Sequence, residues 1–249
     1  MNPHYVALMI TYASIAGVWF LLDFFVRKPW NIDISVNFRR PWLEFVYALV
    51  AVVAILGIGQ LYIGKMLIPN AEGNTAIDAL NQFLIFSPTI LLLIIRRQPL
   101  ESIWLPPYRI AERVGWGLIL SVTALLIYWL ARKDAVSLSS LFTETYHPKN
   151  FSFLVQVFME DITIALLFVR LSAWIGRRWS IGIVAALFAA GHIPSLLADG
   201  ATLNELSSLL LDVTIGVIIL SAVSKSKDVW WFFPVHFVMD MTQFYGGAT

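Results

Sequence analysis

Long apolar runs alternate along the chain with short polar, basic or turn-rich connections. Eight runs have about the length needed to cross a hydrocarbon layer of about 30 Å: residues 5 to 26, 44 to 64, 79 to 95, 114 to 131, 151 to 175, 180 to 197, 204 to 223 and 229 to 245. This pattern predicts an all-α, polytopic membrane helix bundle of about eight transmembrane helices, with residues 1–249 forming a single integral membrane domain. The first run lacks a basic start and ends in Arg27-Lys28 without a small-residue cleavage site, so it is expected to stay as a helix. The third begins among Asp78, Asn81 and Gln82 and contains Pro88, which leaves a kinked or partly re-entrant segment open. Seven spans in place of eight would reverse the side of the C-terminus.

Composition supports a lipid solvent. The chain is 59% hydrophobic and 13% charged, against roughly 25% charged residues in an average soluble domain. It contains no cysteine, which removes disulfide frameworks, thiolate nucleophiles, Cys-ligated zinc and prenyl or palmitoyl anchors. A formal net charge of +1 argues against a nucleic-acid partner. Arg27, Lys28, Arg39, Arg40, Arg96, Arg97, Arg109, Arg113, Arg177, Arg178, Lys225 and Lys227 fall in alternate loops, against Lys65, Arg132, Lys133 and Lys149 on the other side. Short cytoplasmic loops are the richer in Lys and Arg, so both termini are expected outside the cytoplasm, in the plasma or inner membrane. Arg170 is expected to snorkel toward the cytoplasmic interface. Residues 98–113 are expected to lie along that interface, and 134–150 to form a polar turn. Gly115, Gly117, Gly182, Gly191 and Gly216 read as close helix contacts.

The candidate chemistry lies in the ionisable residues inside the spans, each costing about 2.5–3.5 kcal/mol at a helix centre on insertion scales. Span five carries Glu160 and Asp161, span six carries His192, and span eight carries His236 and Asp240. Glu160 lies about 14 Å inside the outer end of its helix, and His236 lies at a comparable depth. His192 and Asp240 lie a turn or so nearer the outer face. His236 and Asp240 are spaced to share one helix face, as are Phe188 and His192. Pro194 and Pro234 each stand two residues from a His and are expected to break their helices around a polar cavity. His4 and His147 fall in flanks and read as bland; Asp212 reads as a polar helix contact.

A desolvated carboxylate, two imidazoles and a further acid around internal water suit hydrolysis. The Glu would take a proton from water, an imidazole would orient that water or protonate the leaving amine, and donors would face the oxyanion. No G-x-S-x-G or H-E-x-x-H pattern is present. By ligand type, Glu160, His192, His236 and Asp240 leave a divalent metal such as zinc open.

The pair Glu160-Asp161, then Phe188 with His192, then His236 with Asp240, resembles in order and spacing the three motifs of the CPBP family of intramembrane endopeptidases. Those motifs are Glu-Glu-x-x-x-Arg, Phe-x-x-x-His and His-x-x-x-Asn/Asp. The family includes type II CAAX prenyl endopeptidases and bacteriocin-processing, Abi-type proteins. The resemblance places a catalytic core at about residues 151–245. It implies that Glu160 activates water with His192, while His236 and Asp240 bind the oxyanion or orient its donor, with Asp161 and Phe188 in support. Asp161 replaces the second Glu, and Ala165 stands at the Arg position. An ionised Asp240 would repel an oxyanion, so Asp240 is expected to hold His236. The function expected is an intramembrane peptidase acting on a membrane-associated protein or peptide near the outer surface of the bilayer. Two alternatives stand beside it: a catalytically silent membrane subunit or scaffold with a membrane protein partner, and a proton-coupled transporter using Glu160, Asp161 and Asp212.

Overall fold

In a computed structural model the described residues are 3–26, 36–70, 73–132, 137–198, 200 and 202–242. The expectations for Arg27, Lys28, Lys133 and residues 243–245 lie outside them. All regular structure among them is helical: α1 (Pro3–Phe25), α2 (Pro41–Ile63), α3 (Thr75–Arg96), α4 (Ile110–Ala131), α5 (Leu138–Thr145), α6 (Phe151–Ile175), α7 (Arg177–Gly191), α8 (Ile193–Ala198), α9 (Leu203–Ser226) and α10 (Val229–Met241), with 3-10 turns at Leu100–Ile103 and Pro148–Asn150. Six helices among the described residues have the length and hydropathy to cross a membrane: α1 to α4, α6 and α9. The protein is an integral membrane protein.

The runs expected as spans six and eight form shorter helices, α7 with 15 residues and α10 with 13, which span only about 20 Å. The expected break near Pro194 occurs: α7 ends at Gly191, and Pro194 occupies the first turn of α8, where its missing N–H costs nothing. Pro234 breaks nothing and lies inside a continuous α10. The third run is also one continuous helix through Pro88, with no re-entrant part. Pro88 frees the carbonyl of Leu84 four residues earlier, and the Ser87 hydroxyl donates to that oxygen at 2.7 Å, which removes the penalty of an unsatisfied group in lipid.

Six helices close into a ring in the order α1, α4, α10, α6, α7, α9 and back to α1, while α2 and α3 pack outside it against α6. Short connections make successive long helices antiparallel. The end at which α1 begins, termed the upper end, carries a bond between His4 Nδ1 and the Tyr128 hydroxyl at 2.7 Å. The lower end is tied by ion pairs between helices: Lys225 with Asp23 at 2.8 Å, Arg96 with Glu44 at 2.5 Å, and the buried Arg113 with Asp228. Burial pushes the Asp228 carboxyl up to about 6 while the Arg113 guanidinium pulls it back down. Of the five glycines read as helix contacts, two are. A Cβ on Gly117 of α4 would meet the Trp231 carbonyl of α10 at 2.6 Å, and one on Gly216 of α9 would meet the Ala185 Cβ of α7 at 3.0 Å. Gly115, Gly182 and Gly191 have open space instead.

Residues 98–113 stay at the surface only in part: Leu100, Tyr108 and Ile110 are exposed, and the middle of the stretch turns inward. Ser102, Ile103, Trp104 and Leu105 are buried, plugging the lower end of the ring. Trp104 turns with φ 58°, and its carbonyl accepts the Val229 N–H at 2.9 Å. The Pro106 carbonyl accepts the Trp230 indole N–H at 3.1 Å. The plug thus satisfies a donor left unpaired at the start of α10 and fixes that helix in the ring. Arg170 does not snorkel. It is fully buried, donating to the carbonyls of Ser102 at 3.1 Å and Leu166 at 2.8 Å and to the Gln98 side chain. Gln98 in turn donates to Glu44 at 2.7 Å, so the arginine links α6 to the plug and to α2.

Candidate active site

The ring encloses a cavity of about 430 Å³, within the range of small-molecule and peptide-side-chain sites. Glu160, Asp161, Phe188, His192, His236 and Asp240 all line it. Three helices therefore bring together the groups singled out in the sequence. The antiparallel courses of α6 and of α7 and α10 set the heights: Glu160 is about 14 Å down from the start of α6, and Asp240 is about 16 Å up from the start of α10.

Hydrogen bonds fix how several of these side chains present themselves. Gln156, one turn before Glu160, donates its amide N–H to Glu160 Oε1 at 2.9 Å, which leaves Oε2 to face the cavity. Asp161 points toward α10 and takes His236 Nδ1 on its Oδ1 at 2.8 Å. The His236 ring is also stacked on Phe232, with centroids 5.4 Å apart. With Nδ1–H given to a carboxylate, Nε2 is the nitrogen left for chemistry. His192 lies at the upper rim, where Nδ1 is 3.0 Å from the Phe188 carbonyl and the Phe188 ring meets it edge to face at 4.9 Å. A carbonyl only accepts, so in this bond Nδ1 carries the hydrogen and Nε2 of the neutral ring carries the lone pair.

Asp240 was expected to hold His236, but the bond to His236 Nδ1 comes from a different helix. Asp161 makes that bond, because the two adjacent acids on α6 point about 100° apart, one into the cavity and one at α10. The pattern Glu-Asp therefore yields one carboxylate facing the cavity and one bound to an imidazole. His4 is not a bland flank residue either: it lines the upper part of the cavity and bonds Tyr128, whose oxygen also accepts from Arg132 at 2.9 Å. His147 does stay in an exposed turn, accepting the Lys149 N–H at 3.2 Å. Tyr12 of α1 and Asp212 of α9 line the cavity as well. Gln156 could have been found by its i, i+4 relation to Glu160; Tyr12 carries only the weak signal of a lone hydroxyl midway along an apolar run.

Among the described residues no three His, Asp or Glu side chains are placed to hold one metal ion. The bonds from His236 Nδ1 to Asp161 and from His192 Nδ1 to the Phe188 carbonyl leave both Nε2 atoms available, which is how an imidazole is ordinarily held for a metal, so the ligand types Glu160, His192, His236 and Asp240 leave zinc as open as the sequence did.

Compared with known protein families, residues 124–242 match the family described as Type II CAAX prenyl endopeptidase Rce1-like. The match covers just under half of the chain, includes every residue of the acid and imidazole cluster, and is consistent with a CPBP-family intramembrane endopeptidase. No curated protein and no solved structure matches the chain.

Proposed function

We propose, from the match of residues 124–242 to an intramembrane protease family, that this protein is a peptidase hydrolysing a peptide bond of a membrane-associated polypeptide within the ring cavity. The observation that carries the reading is the convergence of Glu160, His192, His236 and Asp240 on one cavity inside the membrane domain. Water held between Glu160 Oε2 and His192 Nε2 loses its proton to Glu160 as its oxygen attacks the scissile carbonyl. His236, protonated and held by Asp161, turns Nε2–H toward the developing oxyanion. The proton taken by Glu160 passes to the leaving amine as the C–N bond breaks. Asp240, one turn above His236, lines the same cavity.

The low dielectric around the site raises the value of each of these aligned groups. Replacing Glu160→Gln keeps size and the Gln156 contact while removing the base. Cleavage of a membrane-reconstituted polypeptide should fall by about 10²- to 10⁴-fold, with elution and thermal unfolding matching the wild type; undiminished cleavage would refute the mechanism. The reading as a silent scaffold rested on the missing Arg, with Ala165 in its place, and on the replaced second Glu; the Asp161 to His236 bond gives the second of these positions a use.

The lower end carries Arg39, Arg40, Arg96, Arg97, Arg109, Arg177, Arg178, Lys225 and Lys227, against Lys65, Arg132 and Lys149 at the upper end. The lower end is accordingly assigned to the cytoplasm. His192 and His4 then border the outer opening, which suits an exported or membrane-anchored polypeptide.

A further inference from the structure

The cavity holds more carboxyl groups than hydrolysis uses. Four carboxyl side chains line it, those of Glu160, Asp161, Asp212 and Asp240, and among the described residues no Lys or Arg does. One oxygen of the buried Asp161, Oδ2, has no hydrogen-bond partner. Asp212 makes no hydrogen bond or ion pair among the described residues, although it lies in the middle of a helix apolar enough to span a membrane. The His192 imidazole above it is the one titratable group among the described residues that attracts it, and an intramembrane acid held by no hydrogen bond is costly.

The packing of α9 decides where Asp212 faces. Gly216 is the point at which α9 touches α7, closely enough that a Cβ there would stand 3.0 Å from that of Ala185. Asp212 is four residues earlier and shares that face. Since α7 and α9 are antiparallel, Asp212 stands one turn above the contact, under His192 and across the cavity from the wall formed by α6 and α10. Tyr12 flanks it from α1. Glu160 and the Asp161–His236 pair thus occupy one wall, and the partly exposed carboxylate of Asp212 stands on the other beneath His192.

We infer that Asp212 is the anchor of a subsite for a basic side chain, Lys or Arg, of the polypeptide substrate, so that the cavity selects segments carrying a cation close to the scissile bond. This rests on the peptidase reading for its consequence in cleavage, but the binding itself does not depend on turnover. A carboxylate left exposed in a low-dielectric cavity favours a cation over its neutral isostere and penalises an acidic residue.

The test uses the full chain in phosphatidylcholine nanodiscs, whose headgroups carry no net charge. The probes are fluorescein-labelled D-amino-acid peptides of Ala and Leu with either a single Arg or a single Gln at the centre, read by anisotropy. The Arg peptide is expected to bind at least tenfold more tightly than the Gln peptide. Asp212→Asn should bring that ratio below about threefold, and Asp212→Glu should retain it. Equal binding of the two probes by the wild type overturns the inference without reference to any variant, and so does an undiminished ratio in a folded Asp212→Asn protein. The corresponding L-peptides separate the two readings. Cleavage with no preference for the Arg peptide overturns the subsite and leaves the peptidase, whereas Asp212-dependent binding of Arg without any cleavage supports the subsite and removes the peptidase.

Discussion

The bond from His236 Nδ1 to Asp161 makes the least expected residue of the cluster its organiser. A carboxylate on one imidazole nitrogen selects the tautomer and aims the other nitrogen, and losing that control in comparable acid and imidazole pairs costs about 10⁴-fold in rate while leaving the geometry intact. Asp161→Asn is accordingly expected to lower kcat by at least about 10²-fold with KM near the wild-type value, because the substrate cavity keeps its shape. Steady-state kinetics of the reconstituted variant would measure the split, and a loss carried by KM alone would make Asp161 a binding residue. At this scale the sequence was informative about residue type and spacing: Phe188 with His192 and His236 with Asp240 were legible from the i, i+4 rule and do face one cavity. What spacing could not tell is which acid meets which imidazole. Asp240 is adjacent to His236 on its own helix, yet Asp161 reaches the ring from another helix, and only the rotation of α6 against α10 decides between them.

At the scale of elements, the functional geometry depends on α10 being held close to α4 and capped by the plug at 102–106. Gly117 permits the approach, since a Cβ there would stand 2.6 Å from the Trp231 carbonyl and 2.9 Å from Pro234 Cγ. Gly117→Ala must push the helices apart and is expected to cost about 1–3 kcal/mol. Gly115→Ala, two residues earlier and facing open space, should leave stability unchanged or raise it through helix propensity. Thermal unfolding of both variants in detergent checks the contrast, and equal behaviour would show that α10 tolerates displacement. The two glycines look alike in sequence. Helix positions were read well from hydropathy, but the consequences of proline were not: Pro88 and Pro234 stay inside continuous helices, Pro88 because Ser87 supplies the missing donor, while Pro194 coincides with a real break.

For the whole molecule, the ring and its charge distribution set which side of the membrane the cavity opens toward. The absence of cysteine from the chain makes this directly measurable. His147→Cys, in an exposed turn at the upper end, should react with a membrane-impermeant maleimide from outside intact cells, and Arg178→Cys at the lower end only after lysis. The reverse labelling would invert the proposed orientation and turn the cavity mouth toward the cytoplasm. The sequence by itself determined that the chain is a membrane helix bundle, about where its helices run, and which acids and imidazoles are too costly in lipid to be incidental. Those properties follow from local composition and from the period of a helix, and both are written along the chain. Only the tertiary structure decided that α1 and α9 complete the cavity with Tyr12 and Asp212, that Arg170 is a buried strut, and that residues 102–106 turn inward as a plug. These depend on how the helices are rotated and ordered around the ring. Nothing in a hydropathy pattern encodes that, because most faces of these helices are apolar whether they meet lipid or protein.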